Sequence, residues 1–557
     1  MKLSTIITLS IAACSFLFGA APTIGDVEKQ VQPPREVQES PNTLIPSLPG
    51  EALKEPMVEE SGKQIEVKHF TITGALHVKP EILQEMLQPY EGKSYTFAEL
   101  QKIASTVTRY YREQGYFVAR AYIPKQSMRE GILEIAIIEG NYGAFHLKNS
   151  SLVKDESIQA MLDDVKDETI VSVDTLERAM LIINNTPGAK VTAADVKPAQ
   201  TVGASDFDMT VEASEPYNAY IVGDNYGSKY TGRYRMNVGL SANSPLGYGD
   251  KLGMNGLLST TSDLKNGKLS YNFPLAANGL RGEVSAAKTT YSLAEDYQAL
   301  DALGNATTLE ASLIYPIMKT RLETLDISLS YDHKNMKDEV RSTDTVTKKE
   351  SDAANLTLAY TKSCLLFGLN STTNASMTLT HGNLSFKDAA ALAIDQAGAQ
   401  TDGDYSKISG TVEKFIQFNP EYALTASLRF QKALGSKNLD GSEDFSLGGA
   451  YGVRAFPDSE HSAENGYLLG IELFYTLPTY EGINHKVSLF GDTGYATMEN
   501  TISGSESRQL SDIGLGYQAS YKQFFTKAQI AHVIGAEKVE SESEHSTRLL
   551  LQIGYIY

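Results

Sequence analysis

Hydrophobic and polar residues alternate along most of the second half of the chain, from about Asn218 to Tyr557. In the last such stretch, Leu549, Leu551 and Ile553 fall on one face, and Arg548 and Gln552 fall on the other. Stretches of about 10 residues of this kind, separated by polar turns, are typical of transmembrane β-barrel strands. The pattern predicts an all-β barrel of about 16 antiparallel strands, about 11 before Ser436 and about 5 after Gly466.

A soluble β-sandwich also alternates, and the lengths of the connections distinguish the two folds. Short turns are predicted at Pro245-Leu246-Gly247, Pro274-Leu275-Ala276, Tyr315-Pro316 and Asn419-Pro420. Long polar loops are predicted at 294–305, 335–352, 387–404, 436–466, 498–508 and 535–545. Short turns on one side and long loops on the other favour an outer-membrane barrel at 218–557. Because the chain has no Trp, its 30 Tyr and 19 Phe would have to form the interfacial girdle.

Residues 65–214 contain an internal repeat. Phe70 matches Phe145, and Met86-Leu87 matches Met161-Leu162, at the same offset. Each copy reads as a strand, two helical segments and two more strands, which predicts two α+β modules at 65–141 and 142–214. Thr96 and Glu99 have the spacing of a helix capping box.

The N-terminal residues have the pattern of a secretory signal peptide, 1–21, with cleavage after Ala21. A loose lipoprotein box ending at Cys14 is the alternative. Residues 22–64 are rich in Pro and Glu and read as a periplasmic linker. A short helix from Asp26 to Gln32 is compatible with the sequence, whereas Pro33-Pro34 argues against a long plug helix.

Composition excludes several functions. The formal net charge is -19, and no long basic run offers a surface for nucleic acid. With only Cys14 and Cys364, the mature chain can form neither an internal disulfide nor a cysteine metal site. Nucleophile-elbow, His-Glu-x-x-His and phosphate-loop motifs are absent. We therefore expect no catalytic, cofactor or metal site, and no enzyme.

Several motifs resemble one known family. Gly115-Tyr116-Phe117, Pro124-Lys125-Gln126 and Leu133-Glu134-Ile135 are similar to its first periplasmic module, and Asn243 to Leu252 are similar to its first barrel hairpin. The family is that of the two-partner secretion transporters (TpsB proteins), or haemolysin secretion/activation proteins of the ShlB, FhaC and HecB type. These belong with the barrel-assembly protein BamA to one superfamily. The resemblance implies that the two modules are polypeptide-transport-associated (POTRA) domains.

The most specific motif lies in the predicted loop 436–466. Val453-Arg454-Ala455-Phe456 is similar to the family's Val-Arg-Gly-Tyr/Phe, with Ala455 in place of the glycine. If that glycine needs a positive φ, Ala455 would be strained. Phe490-Gly491-Asp492-Thr493-Gly494 matches the family's Phe-x-Asp-x-Gly. The resemblance implies that the loop folds into the lumen and that Arg454 meets Asp492.

Alternation independently places Asp492, together with Phe490 and Gly494, on the lumen side of its strand. An isolated buried carboxylate is costly, so Asp492 needs a partner, which Arg454 can provide. Glu472 also faces the lumen by alternation and is a further candidate partner. The simpler alternative places Asp492 in a wet lumen and Arg454 in solvent.

By resemblance, the chain is an outer-membrane translocator of a Gram-negative bacterium, with its POTRA domains in the periplasm. Its expected partners are a large adhesin-like or haemolysin-like exoprotein as cargo and the lipid of the outer membrane, and the chain is expected to be monomeric. Two alternatives stay open: an outer-membrane assembly factor of the BamA-like superfamily and a passive porin. The sequence names neither the cargo nor any activation of it during passage.

Overall fold

The computed structural model describes residues 22–31, 33–35, 45–46, 64–127, 130–168, 170–260, 263–458, 460–500, 507–542 and 545–557. The predicted signal peptide, its lipoprotein alternative and most of the predicted linker lie outside the described residues. A first short helix, α1 (Ile24–Glu28), begins and ends earlier than the helix expected at Asp26–Gln32.

The first module is built from five short strands and two helices. They are β1 (Ile65–Val67), β2 (His69–Thr73), α2 (Pro80–Leu87), β3 (Lys93–Tyr95), α3 (Phe97–Glu113), β4 (Arg120–Tyr122) and β5 (Ile132–Ile138). The main sheet has the order β2-β5-β4, with β2 parallel and β4 antiparallel to β5. The predicted capping box begins α3: Glu99 N–H donates to Thr96 Oγ1 (3.3 Å), and Thr96 N–H donates to Glu99 (2.7 Å).

The second module repeats this arrangement. It contains β6 (Asn141–Ser150), α4 (Asp155–Asp163), α5 (Val173–Asn184), β7 (Lys190–Pro198) and β8 (Ala204–Glu212), with the sheet order β6-β8-β7. In both modules the apolar stripe of the longer helix packs on one face of the sheet, and each module has its own buried core. Within the described residues, no helix is long and apolar enough to span a membrane.

Sixteen antiparallel strands close a barrel in which the last strand pairs with the first. The first eleven are β9 (Tyr217–Asp224), β10 (Arg235–Asn243), β11 (Lys251–Ser259), β12 (Leu264–Pro274), β13 (Arg281–Ser292), β14 (Ala302–Lys319), β15 (Glu323–Val340), β16 (Thr345–Leu366), β17 (Leu369–Phe386), β18 (Gly403–Gln417) and β19 (Tyr422–Ala433). Two short strands outside the barrel wall follow, β20 (Phe445–Ser446) and β21 (Ser462–Ala463). The last five barrel strands are β22 (Asn465–Thr476), β23 (Asn484–Thr497), β24 (Ser507–Tyr521), β25 (Phe524–Val533) and β26 (Thr547–Ile556). Strand number and position confirm the sequence prediction.

Two predicted connections are wrong. The long loop expected at 335–352 is mostly strand, because β15 and β16 continue past the apolar band and turn only at 341–344. The turn expected at Tyr315-Pro316 lies inside β14 and is a register shift between Pro316 and Met318; the chain turns at 320–322. A proline at an irregular point of a strand is tolerated because the ladder is already interrupted there. The predicted loop 387–404 contains a helix, α6 (Ala389–Ala397).

Outward-facing side chains of the strands form an exposed apolar band. It includes Leu309, Leu329, Leu356, Leu379, Leu469, Leu489, Leu515, Ile530 and Leu551, all at least 39% exposed. An apolar surface of this extent is unfavourable in water and suits the hydrocarbon core of a bilayer.

The second module docks on the short turns of the barrel and on the adjoining end of β14. Lys154 N–H donates to the carbonyl of Gly247 (2.8 Å), and Arg178 donates to the carbonyl of Pro316 (2.8 Å). Arg321 pairs with Glu177 of α5 (2.6 Å). Since the modules sit against these turns, the turns mark the periplasmic end of the barrel and the longer loops mark the extracellular end.

Residues 45–46 of the linker are fixed at the same junction. Ile45 is buried in the core of the second module. Arg321 donates to the carbonyls of Ile45 (3.3 Å) and Pro46 (3.0 Å). One arginine of a barrel turn therefore contacts both the second module and residues 45–46.

Candidate functional site

Residues 434–464, between β19 and β22, form a loop that lies inside the barrel, here called the inward loop. The two short strands β20 and β21 pair at its base. At its tip Leu447, Val453 and Phe456 are fully buried, and they share a core with the wall residues. The core includes Leu468, Phe490, Leu510 and Ala531 from four barrel strands. The loop is thus packed against one side of the lumen.

Arg454, at the tip, binds two carboxylates of the barrel wall. Its Nε and Nη2 donate to Oδ2 and Oδ1 of Asp492 (2.7 and 3.1 Å), and its Nη1 donates to Oε2 of Glu472 (2.9 Å). Ser488 donates to the other oxygen of Glu472 (2.7 Å). The structure therefore brings together Arg454, Asp492 and Glu472, the three charged residues that the sequence singled out.

Burial makes this cluster sensitive to the loss of any member. Arg454 and Asp492 are each less than a tenth exposed, and the Arg454 guanidinium stacks 3.4 Å from the ring centroid of Phe490. A bidentate pair with a third carboxylate and an aromatic face satisfies the arginine fully. Removing one partner of a buried pair leaves an uncompensated charge, which costs about 3–5 kcal/mol.

Asp512, on β24, is a fourth member that sequence reasoning missed. Its Oδ2 accepts a hydrogen bond from the backbone N–H of Ala455 (2.6 Å), and its Oδ1 accepts one from the N–H of Asp492 (3.3 Å). The φ of Ala455 is not positive. The strain considered for an alanine in place of the family glycine is therefore absent.

Gly494 makes room for the loop. A Cβ at this position would lie 2.9 Å from Leu447 Cδ2 and 3.0 Å from Leu468 Cδ1. Both are closer than side chains normally approach. On the lumen side of β23, the ring of Phe490 thus packs against Arg454, and the absence of a side chain at Gly494 leaves space for Leu447.

Other wall arginines hold the backbone of the loop. Arg429 donates to the carbonyl of Ser446 (2.7 Å), and Arg548 donates to the carbonyl of Phe456 (2.6 Å). Arg508 pairs with Glu460 at the returning arm (2.7 Å). Alternation along β24 and β26 places Arg508 and Arg548 on the lumen side, and this signal could have found both.

The N-terminal segment 22–31 lies in the same lumen. Ile24 N–H donates to Asp338 of β15 (2.9 Å), and Arg235 of β10 donates to the carbonyl of Gln30 (2.8 Å). Gly25 touches the inward loop, since a Cβ there would lie 2.5 Å from the backbone nitrogen of Ser442. The segment and the loop therefore contact each other inside the barrel.

Between these two elements is a chamber of about 930 Å³. Its lining combines both elements and the wall: Lys29, Arg235, Thr378, Arg429, Asp444 and His461. Polar and charged side chains of both signs suit a hydrated space rather than a dry core. In the part of the chain that the structure describes, no group of three or more His, Cys, Asp or Glu side chains is arranged to hold a metal ion.

A closed 16-strand barrel, periplasmic modules and an inward loop within the lumen define an outer-membrane translocator with periplasmic POTRA domains. The chain belongs to the haemolysin secretion/activation protein family ShlB/FhaC/HecB, whose family model matches residues 203–519. Residues 65–140 match the ShlB-type POTRA domain. The family is one of secretion transporters, which confirms the translocator and disfavours the assembly-factor and porin alternatives.

Named relatives agree with this family. The chain is 27% identical over 449 residues to the heme/hemopexin transporter protein HuxB of Haemophilus influenzae strain 86-028NP, covering 79% of this chain and 78% of that protein. It is 20% identical over 520 residues to the hemolysin transporter protein HpmB of Proteus mirabilis, covering 90% and 88%.

A solved structure shares the fold. CdiB from Escherichia coli superposes with a TM-score of 0.74 at 17% identity, covering 92% of this chain and 94% of that one. At this identity the likeness concerns the fold alone.

Proposed function

We propose that this chain secretes one large exoprotein partner. In this proposal the first module binds the unfolded cargo in the periplasm, and the cargo crosses through the barrel after the inward loop withdraws. The observation that carries it is the loop tip, which a buried and fully paired Arg454 fastens to the barrel wall through polar contacts that can separate. A loop that closed the barrel permanently could be held equally well by apolar packing, which requires no buried charges. The buried charges therefore favour a loop that is released.

The edge of β2 supports cargo binding by strand addition. In the sheet β2-β5-β4, the other edge strand is covered, because Ala121 N–H of β4 donates to Thr108 of α3 (2.9 Å). At β2, Phe70 N–H is taken by Glu91 (3.1 Å). Backbone groups of a parallel strand alternate sides, so the N–H of Ile72 also points away from β5. Ile72 therefore offers a donor and an acceptor to an extended peptide.

The class of cargo follows from the relatives. Their names assign heme/hemopexin and hemolysin transport to HuxB and HpmB. We infer a cargo of the same general kind for this chain: a large exported adhesin-like or haemolysin-like protein. Its folding at the cell surface would prevent its return and drive transport without a catalytic step in this chain. We also infer a monomer embedded in outer-membrane lipid.

The experiment measures secretion of a large exoprotein that is encoded by a gene next to the gene for this chain. The cells carry wild type, a deletion of residues 66–213, or Arg454→Ala. Arg341→Ala is the matched control, since Arg341 is 54% exposed on an extracellular turn. The expected result of the deletion is an assembled barrel with cargo retained in the periplasm. Cargo that reaches the surface without the modules would overturn the proposal. Arg454→Ala should change the secretion rate, whereas Arg341→Ala should leave it unchanged.

A further inference from the structure

Glu460 and Arg508 form another buried ion pair between the inward loop and the barrel wall. Their side chains are 0% and 4% exposed, and Arg508 Nη1 lies 2.7 Å from Glu460 Oε1. Arg508 is on β24, the strand that also carries Asp512. The inward loop is therefore held at Arg454 and again six residues later, in addition to the ion pairs that Asp440 and Glu443 form with lysines of the wall.

Glu460 has a second set of partners in the extracellular loop 534–546, between β25 and β26. Its Oε1 accepts a hydrogen bond from the backbone N–H of Glu540 (2.8 Å), and its Oε2 accepts one from the hydroxyl of Ser541 (2.8 Å). Arg508 donates to the carbonyl of Lys538 (2.7 Å) in the same loop. One carboxylate thus joins the inward loop, the wall and an extracellular loop.

The extracellular loop in turn bridges the two ends of the barrel sheet. Glu542 accepts hydrogen bonds from Arg233 (2.5 Å) and from the backbone N–H of Lys229 (3.3 Å). Both donors lie in the loop 225–234, which follows β9, whereas Glu542 precedes β26. The β9–β26 junction has only five paired positions, from Tyr220↔Ile556 to Asp224↔Gln552. The contacts of Glu460 therefore continue across the extracellular end of this junction.

A buried carboxylate shared by two loops links the movement of one loop to that of the other. If the tip left the wall, the buried Glu460 could not follow without breaking its ion pair with Arg508 and its hydrogen bonds with the N–H of Glu540 and the hydroxyl of Ser541. Unpaired buried polar groups are unfavourable, so the partners must separate together and become hydrated together. Apolar packing alone would allow the tip to slide without such an all-or-none change.

We propose that Glu460 is a positioning residue of the inward loop. It couples the inward loop to the extracellular loop 534–546, so that withdrawal of the one and opening of the other are a single event. The inference rests on the proposed function, because it describes how the inward loop in the translocation path is released.

The test uses the full-length protein in a Cys364→Ser background, with a nitroxide label on the exposed residue Ala536 of loop 534–546. Label mobility is measured by electron paramagnetic resonance, and the open fraction is measured in planar bilayers. Variants are Glu460→Gln and the milder Ser541→Ala. Glu537→Gln is the control, since Glu537 pairs with the same Arg508 (3.2 Å) but is 42% exposed.

Glu460→Gln should free the label and raise the open fraction about tenfold, as expected for the loss of charge-assisted hydrogen bonds. Ser541→Ala should change both measurements in the same direction by about threefold, and it carries the test if Glu460→Gln does not assemble. The control should match the unmodified protein. If both variants behave like the control, the coupling is rejected.

Arg454→Ala alone separates coupling from simple loosening. If withdrawal of the tip and opening of loop 534–546 are a single event, Arg454→Ala should raise the open fraction and also free the label at position 536. A raised open fraction with an unchanged label would overturn the proposal. Neither measurement uses cargo. A failed secretion experiment would therefore count against the proposed function but not against the coupling by Glu460. Unchanged label mobility and open fraction would count against the coupling but not against secretion.

Discussion

Asp492 and Asp512 lie directly opposite each other on β23 and β24, and both carboxylates hold the same turn of the inward loop. Asp492 binds the guanidinium of Arg454, and Asp512 binds the backbone N–H of the next residue, Ala455. Strand β23 therefore binds a side chain of the loop tip, and its neighbour β24 binds the main chain. The strands hold the loop without any covalent constraint, so the grip can be released.

The main-chain half of this grip can be tested at Asp512. Replacement by Ala leaves the buried N–H of Ala455 without its acceptor and should raise the open fraction in planar bilayers about tenfold. Asp512→Asn keeps an acceptor oxygen and should give an intermediate value. Channels of Asp512→Ala that are as closed as wild type would show that the Ala455 contact does not hold the loop.

Gly494 predicts a steric effect. The added Cβ of Gly494→Ala would meet Leu447 and Leu468 at 3.0 Å or less, so the loop must move away from the wall and channel opening should increase. Gly491→Ala on the same strand is the matched control, because its Cβ would meet only the carbonyl of Asp512 at 3.5 Å. The conductance of Gly494→Ala should exceed that of Gly491→Ala. Heat-modifiable mobility in gels should show that both variants assemble a barrel. Equal conductance of the two would contradict the close approach of Leu447.

The β2 edge predicts a selective defect in cargo binding. Ile72→Pro removes the outward N–H, a change that edge strands tolerate, whereas Ile72→Ala removes a similar part of the side chain and keeps the N–H. Binding of an unfolded cargo fragment to the full-length protein should weaken markedly for Ile72→Pro and only slightly for Ile72→Ala. Equal losses for the two variants would assign the effect to the side chain and would argue against strand addition.

Glu139 predicts the pH dependence of the first module. Burial raises the pKa of this carboxyl, but hydrogen bonds from His77, Leu76 and Tyr111 outweigh burial and hold the pKa below its ordinary value of 4.5. The group therefore contributes stability above about pH 4.5, and the contribution is lost as pH falls through the lowered folded-state pKa.

The helix signal in circular dichroism of the full-length protein measures this contribution. The melting midpoint of wild type should fall more between pH 6 and pH 3 than that of Glu139→Gln, which lacks the titrating group. Glu81→Gln, at an exposed position of α2, should follow wild type. Parallel pH profiles for wild type and Glu139→Gln would contradict the stabilising role of this carboxylate.

Much of the fold was predictable because the barrel imposes a period of two on every strand. The same period is enough to place Asp492 and Glu472 on the lumen side from their positions in the sequence. The continuation of β15 and β16 above the membrane was missed, because strands outside the bilayer are polar on both faces and have the composition of loops. Position and composition alone could not distinguish these extensions from loops.

Pairs between residues distant along the chain were harder to predict. Arg454 and Asp492 were paired only because two motifs resembled a family, whereas Asp512 and Glu460 lie outside those motifs. The partners of Asp512 and Glu460 include backbone N–H groups, which every residue except proline carries, so no residue type signals them. The lumen position of segment 22–31 likewise depends on packing against Asp338 and Ser442, far away in sequence.

The most direct measurement is site-specific photocrosslinking during secretion. A benzoylphenylalanine at Thr378, which lines the chamber, is compared with one at Leu379, the next residue on β17, which is 46% exposed on the lipid side. If cargo passes through the lumen, a stalled exoprotein should crosslink at position 378 and not at 379. Crosslinking at 379 alone, or at neither position while secretion continues, would contradict passage through the barrel.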